Sequence, residues 1–241
     1  MSPHIAFPLI LWSGFAAGSI HVLTGPDHIA ALLPLSVGHR WKAWALGARW
    51  GIGHSAGVLV IAIVAVVLRH SMDLQLVSAW SERLVGVMLI GIGGCGVRRA
   101  LRDRIHAHGH SHGVDPHAHL HAHTQDGHEV PAGGATSLPH AHRHTAFFAG
   151  ILHGAAGTAH LVGVLAAAAF ATAIESGVYL GGFALGTILA MAAFAAAVGA
   201  TTTRASDRAP RLLPWFTGAA SVACMAIGVV WIVWSLLAPA A

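Results

Sequence analysis

Residues 18–35 read GSIHVLTGPDHIAALLPL, and this stretch decides how the first part of the chain folds. It lies inside an apolar run, 5–37, that would form a helix about 50 Å long if it were unbroken. A bilayer core is only about 30 Å thick, so one upright helix does not fit. Proline cannot donate a backbone N–H, and we therefore expect a break at Gly25–Pro26 that leaves the carbonyls of His21 and Val22 without their partners. Unpaired carbonyls are tolerated in a membrane only where they line a cavity, and there the negative end of a half-helix favours a cation.

The whole chain has too few charged residues for a protein that faces water on all sides. Of its 241 residues, 55% are hydrophobic and 9% are charged, against about a quarter charged in soluble domains. Because about 20 apolar residues cross a bilayer, we predict an all-α polytopic membrane protein with six transmembrane helices. The predicted spans are 5–37, 43–68, 84–97 with an extension back through 77–81, 145–174, 177–200 and 213–238.

The motif around His21 recurs in the second half of the chain, where GILHGAAGTAHLVGVLAA begins at Gly150. At one offset of 132 residues, Gly18, His21, Gly25 and His28 match Gly150, His153, Gly157 and His160. We therefore predict two three-helix repeats, 1–101 and 145–241, joined by a disordered loop at 102–144. Repeats with three spans each would be inverted across the membrane, a plan that transporters use to place a site near the midplane.

The distribution of basic residues predicts the orientation. The loops 38–43, 98–144 and 201–212 together hold ten Lys and Arg residues, whereas the remaining loops hold two. The positive-inside rule then puts these three loops in the cytoplasm and both termini outside, in a cell membrane of the bacterial inner-membrane type. The net charge of +4 therefore reflects topology, and we expect a lipid bilayer but no nucleic acid as partner.

Polar side chains inside the predicted spans are the candidate metal ligands: His21, Asp27, His28, His54, His153 and His160. An acid in the interior of a span is costly and is by default a functional residue, and Asp27 is the one such acid here. Imidazole nitrogen with one carboxylate oxygen suits Ni, Co, Zn, Cu or Fe better than Mg or Ca. Two alternatives stay open: Asp27 as the counter-ion of Arg49, and His54 as a helix-packing residue.

The segment 102–144 contains twelve of the twenty histidines, mostly as His-x-His. Nothing in it is apolar or periodic enough to fold, and we expect a cytoplasmic linker that buffers divalent metal. The candidate buffering residues are His106, His108, His110, His112, His117, His119, His121 and His123.

The stretches GSIHVLTGPDHIAALLPLSVG and ALGARWGIGHSAG together resemble the nickel/cobalt transporter family. The resemblance is greatest to the high-affinity nickel-transport and urease-accessory-like branch that carries Gly-Pro-Asp-His. It is marked from residue 18 to about 99 and moderate over 145–200. It implies a polytopic protein that moves Ni²⁺ or Co²⁺, with His21, Asp27, His28 and His54 as metal-recognition residues.

These patterns predict a secondary transporter and not an enzyme, with Ni²⁺ or Co²⁺ as substrate and no permanently bound cofactor. The chain has no GxxxxGK[ST] phosphate loop, so we do not expect it to hydrolyse ATP. Rocking of the two halves would alternate access, with released protons as counter-flux. The alternatives are metal efflux, a metal receptor or accessory protein that does not transport, a membrane redox carrier built on Cys95 and Cys224, and a histidine-box di-iron enzyme. A cytoplasmic metallochaperone is a candidate partner, and the oligomeric state does not follow from the residues.

Overall fold

The structure, a computed structural model, describes residues 3–67, 74–105, 140–156, 166–209 and 212–237. These residues form seven α-helices and no strand, which confirms the predicted all-α class. The helices are α1 (Pro3–Thr24), α2 (Pro26–Ser36), α3 (Trp44–Val67), α4 (Leu74–Ile105), α5 (His140–Ala155), α6 (Ala173–Arg208) and α7 (Leu212–Leu237), with a 3₁₀ turn at Arg40–Ala43 before α3.

Five stretches of the described residues are long and apolar enough to cross a membrane. Large apolar side chains such as those of Trp12, Leu59, Val87 and Trp234 lie exposed on the outside of the bundle, as expected where the solvent is lipid. The chain is therefore a membrane protein. The candidate spans are Phe7–Thr24, Arg40–Ile63, Trp80–Arg102, Ala173–Arg208 and Leu212–Leu237, and Thr145–Ala155 is a shorter apolar helix.

The predicted span 145–174 is wrong as a single continuous helix. Helix α5 ends in a tight turn in which the Ala156 N–H donates to the His153 carbonyl at 3.3 Å. Further on, residues 168–172 form turns and bends. Glycine inside a helix costs about 1 kcal/mol relative to alanine, and Gly154 lies in the last turn of α5. The apolar run 145–174 is therefore not one continuous helix.

Helix α6 is longer than the predicted span 177–200. It begins at a capping box, in which the Glu175 N–H donates to the Thr172 hydroxyl while the Thr172 N–H donates to the Glu175 carboxylate. It continues to Arg208 through polar last turns, in which the Thr201 hydroxyl donates to the Ala197 carbonyl. The prediction used apolar residues alone and missed both ends.

Helical structure also reaches into both ends of the segment predicted to be disordered, 102–144. Helix α4 continues to Ile105, and α5 begins at His140. The remainder of the segment, 106–139, lies outside the described residues.

The long helices pack in three pairs: α1 lies along α6, α3 along α5, and α4 along α7. Glycines allow the backbones to approach closely, because a Cβ on Gly18 would overlap the Phe183 carbonyl and a Cβ on Gly150 would overlap the Trp50 carbonyl. Helix α3 also packs against α6, which joins the first two pairs, and the short α2 packs against α4, α6 and α7.

The turn after α2 and the end of α6 lie at the same end of the bundle. The Gly38 N–H donates to the Thr202 hydroxyl at 3.3 Å, and Gly38 adopts a left-handed φ of +79° that favours glycine. A Cβ on Gly199 would overlap the Arg40 carbonyl. We call this the basic end, because these two segments carry Arg40, Lys42, Arg204 and Arg208.

Candidate metal centre

Helices α1 and α2 meet at Gly25, and the break brings His21 and His28 together. Gly25 has an extended backbone, and Pro26 occupies the first turn of α2, where a helix does not need its N–H. The ring centroids of the two histidines are 4.7 Å apart. The predicted break is confirmed, but the predicted loss of a partner for the His21 carbonyl is wrong, because the Gly25 N–H donates to it at 3.0 Å.

Two more of the predicted histidines reach the same place from other helices. The centroids of His54, on α3, and His153, on α5, lie 4.9 and 4.7 Å from that of His28. The centroids of His54 and His21 are 5.9 Å apart, and those of His54 and His153 are 5.4 Å apart. His28, His54 and His153 are each at most 1% exposed. Four imidazoles from separate parts of the sequence therefore share one buried volume.

Asp27 lies between two of these histidines. Its Oδ1 is 3.1 Å from His28 Nδ1, and its Oδ2 is 3.2 Å from His153 Nε2. Arg49, the predicted alternative partner, instead donates to the Ala45 carbonyl at 3.4 Å. Both carboxylate oxygens thus contact imidazoles, and within the described residues no ion pair joins Asp27 to Arg49.

The ligand atoms form two overlapping triads. His21, His28 and His54 make up the first, which we call the cavity triad, and Asp27, His28 and His153 make up the second, the buried triad. Within each, the ligand atoms lie within 4.8 Å of one another. Two ligands of one transition-metal ion, bonded at about 2.0–2.2 Å, lie at most about 4.4 Å apart. Each triad can therefore close on an ion through movements of a few tenths of an ångström.

A cavity of about 340 Å³ reaches the centre from one side. Helices α3 and α6 are in close contact nearer the basic end, where a Cβ on Gly51 would lie 2.8 Å from the Ile188 Cα. Beyond His54 they separate, and the cavity lies between 54–62 of α3 and 180–184 of α6. Its lining includes Phe183, whose ring centroid is 5.6 Å from that of His21. The cavity thus lies on the side of His54 away from the basic end.

Large buried side chains lie among the same helices. Trp50, Leu32 and Met191 are each at most 1% exposed and belong to one apolar cluster. The Trp50 ring lies 6.0 Å from that of His153, and its indole N–H has no hydrogen-bond partner within the described part of the chain. Sequence reasoning missed Trp50, although it precedes His54 by one helical turn and so shares its face. Phe183 carried no comparable signal.

The remaining predicted ligands cannot be placed. His160 lies outside the described residues. The same holds for the eight predicted buffering residues between 106 and 123.

The fold and the site define a class: a helical membrane protein with a buried cluster of four imidazoles and one carboxylate beside a broken helix. No protein-family model and no solved structure matches the chain. The chain is 32% identical over 224 residues to the chloroplast protein FOR GROWTH AND FERTILITY 2 of Arabidopsis thaliana, covering 92% of this chain and 55% of that protein. It is 29% identical over 220 residues to the protein FOR GROWTH AND FERTILITY 1 of the same plant, covering 90% and 57%. The chain thus spans a little over half the length of these two relatives.

The chain is also distantly similar to a bacterial urease accessory protein. It is 29% identical over 197 residues to the urease accessory protein UreH of Bacillus sp. (strain TB-90), covering 79% of this chain and 76% of UreH.

Proposed function

We propose that the chain belongs to the nickel/cobalt transporter family and is a secondary transporter of divalent transition-metal ions, nickel or cobalt first. The ion is its substrate, and neither a permanently bound cofactor nor a chemical reaction is required. The similarity to the urease accessory protein supports the metal, and the Gly-Pro-Asp-His motif at residues 25–28 supports the family.

The observation that carries this proposal is the gathering of four imidazoles and a carboxylate within apolar helices. Buried polar groups of this kind are expensive in a membrane and mark ion pathways. A mixed nitrogen and oxygen set suits nickel, cobalt or zinc, and soft thiolates are not part of it. Among the described residues, no other feature of the apolar helices combines as many metal-binding groups.

The packing supports a repeat of three helices, in which α1, α3 and α4 correspond to α5, α6 and α7. If each helix is replaced by its counterpart in the other half, the α1–α6 contact becomes the α5–α3 contact. The α4–α7 contact becomes the same contact again. We therefore propose an inverted repeat whose halves are interlocked. Each glycine-lined pair contains one helix from each half, so the moving units are the α1–α6 pair and the α3–α5 pair rather than the two halves.

The positions of the charges support the proposed orientation. Arg40, Lys42, Arg204 and Arg208 lie at the basic end, which the positive-inside rule assigns to the cytoplasm. The cavity lies between α3 and α6 on the side of the centre away from the basic end, which is the outer side in the proposed orientation. The loop histidines would then collect or release metal on the cytoplasmic side, where a metallochaperone is a candidate partner.

A membrane metal receptor that does not transport is the second candidate, because the name of the bacterial relative describes an accessory protein. A redox carrier has less support, since Cys95 and Cys224 are both free and differ in burial. Binding alone does not separate a receptor from a transporter, whereas movement of the ion across a membrane does.

The test is uptake of radioactive nickel by proteoliposomes that contain the full-length protein. We expect uptake by wild-type protein and at least a tenfold lower initial rate for His28→Ala, which removes the histidine at the centre of the cluster. His39→Ala, at the turn near the basic end, is the matched control and should transport like wild type. Arg49→Gln should also do so, because the Arg49 guanidinium does not contact Asp27. Folded wild-type protein that binds nickel without moving it would show a receptor.

A further inference from the structure

The metal centre contains five candidate ligands, and their spacing in this conformation divides them into two overlapping triads. We propose that the cavity triad and the buried triad are two successive stations for a single ion, and that His28 hands the ion from the first to the second. This inference rests on the proposed transport function and adds a route within its site.

The spacing of the ligand atoms separates the two stations. The ligand atoms of each triad lie within 4.8 Å of one another, and no larger set of metal-binding groups in the described ranges is gathered as closely. Any two ligands of one ion must lie within about 4.4 Å of each other. An ion in one triad therefore leaves the outermost ligands of the other unbound, unless the helices rearrange.

The two triads differ in their access to the cavity. His54 lines the cavity, and Phe183, beside His21, lines it as well. His54 is the one member of the cavity triad in the lining, and none of the three members of the buried triad belongs to it. An ion that arrives through the cavity therefore meets the cavity triad first and reaches the buried triad only by passing His28.

His28 is placed to belong to both stations. Its ring centroid lies 4.7 to 4.9 Å from those of His21, His54 and His153. Its Nδ1 is 3.1 Å from Asp27 Oδ1, on the side of the buried triad. Imidazole has two nitrogens that can each ligate a metal, so the ring can bind an ion through one nitrogen in the cavity triad and through the other nitrogen in the buried triad.

The buried station is also closed toward the basic end in this conformation. His153 is fully buried, and the ring of Trp50 lies 6.0 Å from it. The close contact of α3 with α6 at Gly51 blocks passage toward the basic end in this conformation. Release from the buried triad therefore requires the α3–α5 pair to move.

The experiment counts the imidazoles on bound Ni²⁺ by X-ray absorption. It uses full-length protein in which the twelve histidines of 102–144 are replaced by glutamine, so that the loop does not contribute. His54→Ala leaves only the buried triad intact and should give two imidazoles. His153→Ala leaves the cavity triad intact and should give three. Both should keep nickel affinity within about tenfold of the parent, whereas His28→Ala should weaken it by at least a hundredfold.

A single five-ligand site gives a different result. It would show three imidazoles in His54→Ala as well as in His153→Ala, and that outcome would overturn the two stations. If an alanine variant does not fold, as judged by its melting curve, the corresponding asparagine variant takes its place. Proteoliposome uptake of the parent protein is measured alongside. The expected imidazole counts without any uptake would overturn the transport proposal while supporting two binding sites.

Discussion

The packing of α5 against α3 determines where His153 stands relative to His54, and Gly154 is the residue that permits it. A Cβ at Gly154 would overlap the His54 carbonyl oxygen and lie 2.8 Å from the carbonyl carbon. Gly154→Ala therefore places a methyl group against the backbone of one candidate ligand, next to another. We expect this substitution to impair metal binding as well as packing.

The size of the effect follows from the contact distance. Carbon atoms in favourable contact are about 3.5–4.0 Å apart, so a separation of 2.8 Å requires the helices to move apart by at least about 0.7 Å. Overpacking of this kind costs about 1–3 kcal/mol, and functional sites tolerate displacements of only about 0.5 Å. Since loss of the groups that orient metal ligands typically weakens binding about 10- to 100-fold, we expect a loss of nickel affinity in that range.

Two glycines elsewhere provide matched controls. Gly228→Ala overpacks the α4–α7 pair, where its Cβ would lie 2.6 Å from the Gly86 carbonyl oxygen, so it should lower the melting temperature without lowering nickel affinity. Gly91→Ala meets no atom within 4 Å and gains up to about 1 kcal/mol of helix propensity, so it should be neutral or stabilising. Melting curves and nickel titrations of purified protein measure both quantities. Wild-type affinity in a folded Gly154→Ala variant would refute the link between this contact and the site.

Three further results are expected. Thr187→Val should leave the melting temperature unchanged or raise it by an amount equivalent to about 1 kcal/mol, because the buried Thr187 hydroxyl has no hydrogen-bond partner among the described residues. A loss of uptake in this variant would instead assign the hydroxyl to the ion pathway. Thr172→Ala should destabilise the protein by about 1 kcal/mol in melting experiments, because it removes the acceptor of the Glu175 N–H. An unchanged melting curve would mean that this capping box is dispensable. A topology reporter fused at Ala241 should be active outside the cell and one inserted at Val130 in the cytoplasm, and a cytoplasmic signal at Ala241 would contradict the proposed orientation.

The helix break could be predicted from the sequence because its cause is local. Proline at position 26 lacks an N–H, and glycine precedes it, so the interruption of α1 follows from two adjacent residues. The end of α5 has no proline. It falls within an otherwise apolar run, and hydropathy alone predicts one helix through residue 174. The start of α6 likewise depends on the hydrogen bonds between Thr172 and Glu175, and its last turns are polar, so an apolar window detects neither end.

The candidate ligands were found for a different reason. His21, His28, His54 and His153 stand out because an imidazole in an apolar helix is rare, and rarity can be seen without a structure. The division into two triads could not be seen in this way. It depends on the distances of α3 and α5 from the start of α2, and those distances arise from packing between helices that are distant in the sequence.

The pairing of helices also decides how a movement would act on the two stations. His54 and His153 lie on the two helices of one tightly packed pair, so a displacement of that pair carries both side chains together. Asp27 and His28 lie on α2, which packs mainly against α7, α4 and α6 and makes few contacts with α3. A movement of the α3–α5 pair relative to α2 therefore changes one ligand of each triad at the same time, while His28 stays with Asp27. A shift that draws His54 away from His28 and keeps His153 near it would favour the buried station, and the reverse shift would favour the cavity station. One rigid pair moving against one half-helix is thus sufficient to couple the position of the ion to the conformation of the protein.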